Sequence, residues 1–201
     1  MAITINGTTN TITGLAVGGL PNGVVDTDML ADDAVTAVKT TVPGITEYDM
    51  WVLDADLTGS QAPITATFAR PTTSAIAQYI GTGMSQSSGV FTFPNTGKWL
   101  VTFKCNIKGA NLVEVYGRVI IELTTDGGTN WNFISRGNGN MHNSGGLTNY
   151  EMANAEALVD VTSVSDVKVR FATTFSNSST KVVGYGPSSD TSVSFMKLGD
   201  T

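Results

Sequence analysis

The stretch from Gly89 to Cys105, Gly-Val-Phe-Thr-Phe-Pro-Asn-Thr-Gly-Lys-Trp-Leu-Val-Thr-Phe-Lys-Cys, limits the fold more than any other part of the chain. Beyond a Pro94-Asn95-Thr96-Gly97 turn, Trp99, Val101, Phe103 and Cys105 alternate with Leu100, Thr102 and Lys104. A period of two belongs to a strand with one face inside and one outside, and a second layer must cover the apolar face. The spacing predicts a hairpin, with one strand over Val90 to Phe93 and another over Trp99 to Lys108. Cys105 falls in the inward set, which predicts a small buried apolar residue and not a reactive thiol.

Further runs of the same kind follow. Strands are expected from Met50 to Leu57, Ile64 to Ala69, Ala75 to Ile80, Leu112 to Thr124, Trp131 to Ser135, Val167 to Phe175 and Ser192 to Leu198, with Thr125 to Asn130 as a turn. Tyr150 to Asp160 has good helix formers, Glu151, Met152, Ala153, Glu156 and Leu158 among them. Its alternation decides for a strand: Tyr150, Met152, Asn154, Glu156 and Leu158 against Ala153, Ala155, Ala157 and Val159. A strand lined with alanines suits a crowded interior. Charged residues make up only 14% of the chain, against about 25% in an average soluble protein, and Gly, Thr, Ser and Asn take their place. That composition suits strands joined by tight turns, and it suggests surface covered by partner subunits. Eight to ten strands at this spacing predict an all-β sandwich over 45–201.

The pattern Phe91-x-x-Pro94-x-x-Gly97-x-Trp99 resembles the central hairpin of the tumour necrosis factor and complement globular head family. Thr191-Ser-Val-Ser-Phe-Met-Lys-Leu198 resembles the closing strand of the same family. The resemblance implies a jelly-roll β-sandwich, a compact homotrimer and a binding role with no enzymatic activity.

Before Thr40-Thr-Val-Pro-Gly44 the composition changes. Ile3, Ile5, Ile12 and Leu15 around Asn6-Gly7 suggest an extended or hairpin-like piece too short to bury a core alone. Asp26 or Thr27 suits the cap of a short helix over 28–39, with Met29, Leu30, Ala34, Val35 and Val38 on one stripe. Gly19-Leu-Pro-Asn-Gly-Val-Val-Asp26 and Asp28-Met-Leu-Ala-Asp-Asp-Ala-Val-Thr36 resemble wording that recurs in bacteriophage tail-fibre and other virion appendage proteins. That resemblance implies an attachment or stalk segment over 1–44, with Ile3, Ile5, Leu15, Leu20, Met29 and Leu30 as its contacts to other virion proteins.

The chain carries a net charge of −6 and no Lys/Arg cluster in its sequence, which disfavours nucleic-acid and anionic-membrane partners. No run approaches the length of a membrane span, and the first residues do not read as a signal peptide. One cysteine permits no intrachain disulfide and fits assembly in a reducing host cytoplasm. Any Ser-His-Asp or Cys-His arrangement needs His142, the one histidine, which lies in a Gly- and Asn-rich segment without rigid support. Asp54 and Asp56, Asp26 and Asp28, and Asp32-Asp33 are expected to be solvated or capping carboxylates, since no calcium-loop spacing surrounds them. No catalytic residue, metal or cofactor is assigned. Recognition is expected in Gly137 to Asn149 and Ser176 to Asp190, where polar groups surround a few aromatics; Asn140, His142, Asn143 and Tyr185 are the candidate contacts to a host-surface glycan or protein. The sequence therefore reads as a trimeric virion fibre protein. A capsid decoration or a non-viral trimeric binding module is the alternative.

Overall fold

The computed structural model describes residues 4–6, 8, 11–13, 44–65, 68–72, 79–109, 116–140, 148–185 and 190–201. The chain forms two compact units, Met1–Gly44 and Ile45–Thr201. In the first, β1 (Thr4–Asn6) pairs antiparallel with β2 (Thr11–Thr13), and Ile5 stands opposite Ile12. The expected helix over 28–39 lies outside the described residues, as do Ile3, Leu15, Leu20, Met29 and Leu30.

The second unit is a sandwich of two antiparallel sheets, and the described residues contain no helix. One sheet holds β3 (Tyr48–Leu53), β4 (Leu57–Thr58), β5 (Phe68–Ala69), β6 (Tyr79–Ile80), β9 (Gly97–Lys108), β12 (Tyr150–Val161), β14 (Lys181–Val182) and β15 (Ser192–Gly199). The other runs in the order β11-β10-β13-β8-β7, with β7 (Ser85–Ser87), β8 (Val90–Thr92), β10 (Gly117–Thr124), β11 (Asn132–Gly139) and β13 (Lys168–Phe175). β9 is the centre of the larger sheet. β12 follows one of its sides along the whole length, and β15 and then β14 share the other.

The expected hairpin at Pro94 does not form. β8 pairs with β7 and β13, β9 pairs in the opposite sheet, and the chain crosses the sandwich between them. Alternation fixes which face of a strand is buried and leaves its neighbour open. Here Phe93 and Trp99 are both buried and meet across the core with ring centroids 5.2 Å apart. Proline at 94 has no N–H to give a ladder, which suits a corner. The inward set of β9, Trp99 through Cys105 with Ile107, is buried as its alternation requires. Phe91, Phe103, Phe171 and Phe195 fill the centre, with ring centroids 5.1–6.1 Å apart in tilted and edge-to-face pairs, the arrangement aromatic quadrupoles favour.

Tyr150–Val161 is a strand despite its helix formers, with Ala153 and Ala155 buried. The small side chains are needed because β11 lies against them. A Cβ on Gly139 would stand 3.7 Å from the Ala153 Cβ, and one on Gly137 would run into the Asn154 carbonyl. The sequence places a loop from Gly137 to Gly146, but Gly137–Gly139 is the end of β11, hydrogen-bonded to β10. Glycine there marks close approach of backbones, not freedom to bend.

Candidate functional site

The registers gather several connections at one end of the sandwich. Lys108, the last residue of β9, stands opposite both Tyr150 and Lys181, and Gly117 stands opposite both Gly139 and Phe175. The connections after β3, β9, β11 and β13 therefore leave from this end. The chain joins the sandwich at the other end, where Tyr48 pairs with Met196 and Lys98 with Gly199. Residues 54–60, 109, 116, 140, 148–149 and 176–185 thus mark the end remote from Ile45.

Backbone bonds tie these connections together. The Gly109 amide donates to the Asn149 carbonyl at 2.8 Å, Ser176 to Tyr116 at 3.3 Å and Val183 to Asn106 at 2.8 Å. The Asp56 carboxylate accepts from the Gly184 amide at 3.1 Å and lies 3.7 Å from Lys181 Nζ. Asp56 therefore links the connection after β3 to the segment after β14. Ser176 to Asp190 is not a single free loop, because β14 inside it seats Val182 in the core. Tyr185 follows directly and is 57% exposed. Asn140 is exposed just beyond β11 at the same end, while His142 and Asn143 lie outside the described residues. Tyr150, 58% exposed with Lys108 Nζ 5.7 Å from its ring, adds an aromatic to this rim. Its place as the first outward residue of β12 is the signal in the sequence.

A second feature is the outward face of the larger sheet. Tyr48, Met196, Leu100 and Leu158 stand opposite one another on four neighbouring strands. Cross-strand partners share a face, so four large apolar side chains form one row about 15 Å wide at the usual strand spacing. Leu158 is 64% exposed. The Lys98–Asp160 ion pair lies beside this row.

Among the described residues no three His, Cys, Asp or Glu side chains gather as a metal site would require. Burial pushes the Cys105 thiol up to about 12, partly offset by a hydrogen bond with Thr191. The neutral thiol is a poor nucleophile. Among the described residues two carboxylates are buried, Glu47 and Asp49; they were not legible in the sequence, and both are satisfied. Asp49 accepts from Arg70 at 2.8 and 3.1 Å, from Trp51 Nε1 at 2.9 Å and from the Met84 amide at 2.6 Å. Glu47 accepts from the amides of Thr82 and Gly83 and from Asn95 Nδ2. They pin 79–84 onto the sheet edge.

No protein-family model matches the chain, and no curated protein matches it. Solved structures do. Eiger TNF from S. frugiperda superposes with a TM-score of 0.54 over 79% of this chain and 96% of its own, at 11% identity. Murine APRIL superposes with a TM-score of 0.51 over 76% of this chain and 98% of its own, at 10% identity. The fold is a tumour necrosis factor-type jelly roll. At such identity the likeness is one of fold. It fits the two antiparallel sheets found here.

Proposed function

We propose that this chain is a trimeric structural protein of a tailed-phage virion, docked by residues 1–44 and presenting its jelly-roll head to the host surface. The observation that carries this reading is the polarity of the head. The chain joins it at one end, and the rim holding Asn140, Tyr150 and Tyr185 lies at the other. An appendage anchored through its N-terminus needs that separation. The phage-like wording of Gly19 to Thr36 supports the anchor. The row Tyr48–Met196–Leu100–Leu158 supports the trimer, because an apolar patch on a sheet face is best buried against a second copy. The role is binding and not catalysis, with the host-surface glycan or protein met at the rim and other virion proteins met by the N-terminal unit.

Electron microscopy of purified particles labelled with antibody to this chain tests the reading. Label at the tail tip is expected. Label over the capsid would assign the chain to decoration without a receptor role. Particles that carry no label would remove the virion reading and leave a trimeric binding module outside any virus.

A further inference from the structure

Three of the chain's four arginines share one face. Arg118 lies on β10, Arg136 on β11 and Arg170 on β13, and the registers Ile120 with Arg136 and Glu122 with Arg170 put all three on the outward side of the five-stranded sheet. Neighbours in this set are one or two rows apart, so their Cα atoms are separated by about 8–14 Å at ordinary strand dimensions. Each guanidinium lies over an aromatic ring: Arg118 over Tyr116 at 4.3 Å, Arg136 over Phe133 at 4.7 Å and Arg170 over Trp131 at 4.3 Å. Such stacking holds the planar group flat and leaves its N–H donors for an acceptor in the plane. Arg170 uses Nε on Glu122 at 2.6 Å. Among the described residues no carboxylate pairs with Arg118 or Arg136, and the Arg118 Nε is buried without a hydrogen-bond partner. A chain of net charge −6 has gathered three arginines where Glu122 is the one carboxylate, among the described residues, that pairs with any of them.

We propose that this face binds an acidic polysaccharide, one whose repeating units carry carboxylates. A guanidinium held in one plane matches a carboxylate in bidentate fashion, and Phe133, 54% exposed, offers an apolar surface to the C–H face of a sugar ring. The separation of the arginines suits a polymer with a charge every one or two sugars. A nucleic acid, with one charge per about 1.7 Å of helix, carries its charges far more densely than these guanidinium groups are spaced. The face is opposite to the apolar row, because the two belong to different sheets of the sandwich, so trimer formation through that row leaves it open. The inference goes beyond the rim proposed for host recognition and does not depend on the virion reading.

The test is calorimetric titration of the full chain with an oligouronate, with its carboxyl-reduced neutral analogue, and with a single-stranded DNA of equal charge. Binding of the oligouronate alone is expected, weakening as salt is raised. Arg136→Gln should lower its affinity about tenfold, the scale of one charge-assisted hydrogen-bonding group, and Arg118→Gln together with Arg136→Gln should abolish it. Arg136 is exposed, so its replacement leaves folding intact, and the melting temperature verifies that in both variants. Shortening residues 140–148 should leave oligouronate binding unchanged. Three results would each overturn the proposal: no binding of the oligouronate, equal binding by the double variant, or DNA bound as tightly as the uronate.

Discussion

Trp99 shows how far a single residue can be read in advance. Its place at the head of an alternating run makes it an inward residue, and it is 1% exposed against Phe93. Trp99→Ala should destabilise the head by about 3–5 kcal/mol, measured by denaturant titration, and an unchanged midpoint would contradict the register. The indole N–H is buried without a partner. Trp99→Phe should therefore cost clearly less than the alanine variant, since it removes an unsatisfied donor along with some packing. Cys105, three repeats of the pleat further along β9, gives a prediction in pH. Its thiol is raised from 9.0 to about 12 by burial. A folded value above the unfolded one means that this contribution to stability is complete below pH 9 and is lost as the pH rises toward 12. Cys105→Ala should flatten the stability profile in that window, as followed by melting temperature against pH. Glu47 and Asp49 were illegible by contrast. Asp49 meets Arg70 across 21 positions and Glu47 meets Asn95 across 48, and no local pattern records such pairings.

At the scale of elements, alternation identified strands well and said little about their neighbours. β12 was recoverable against its helix propensity because its alanines and its outward residues fall on opposite parities. The crossing at Pro94 was not, because an inward-facing strand satisfies its pattern in either sheet. Gly137 exposes the same limit. In sequence it opens a flexible loop, and in the fold it lets β11 approach the backbone of β12. Its φ is not among the positive ones, so its need is for space alone. Gly137→Ala should therefore force the edge strands apart and lower the melting temperature, and Asn138→Ala on the outward side should change it little. A Gly137→Ala protein as stable as the wild type would show that the two edges are not held this closely in solution. The turn after β10 was legible and is knotted by Asp126, which accepts from the Asn130 amide, the Thr124 hydroxyl and the Asn130 side chain. Those bonds hold its carboxyl well below the usual carboxylate range.

The whole molecule sets the larger question of what covers the outward face of the eight-stranded sheet. The alternation of β9 and β12 predicted which of their residues point away from the core, but only the registers show that Leu100, Leu158, Met196 and Tyr48 come into line. Each lies on a different strand, and the row is invisible until the strands are paired. A leucine buried in an interface contributes about 2 kcal/mol, so burying this row in every protomer is enough to matter for assembly. Leu158→Lys would place a charge in that contact, where it is costly without a partner. The expected outcome is a wild-type protein near three times its 21.0 kDa chain mass by native mass spectrometry and a Leu158→Lys protein at one. Leu158 is 64% exposed in the single chain, so the variant protomer should keep its strands by circular dichroism, and Leu158→Met should still assemble. A wild-type monomer at micromolar concentration would remove the trimer, and a Leu158→Lys trimer would move the interface to another face.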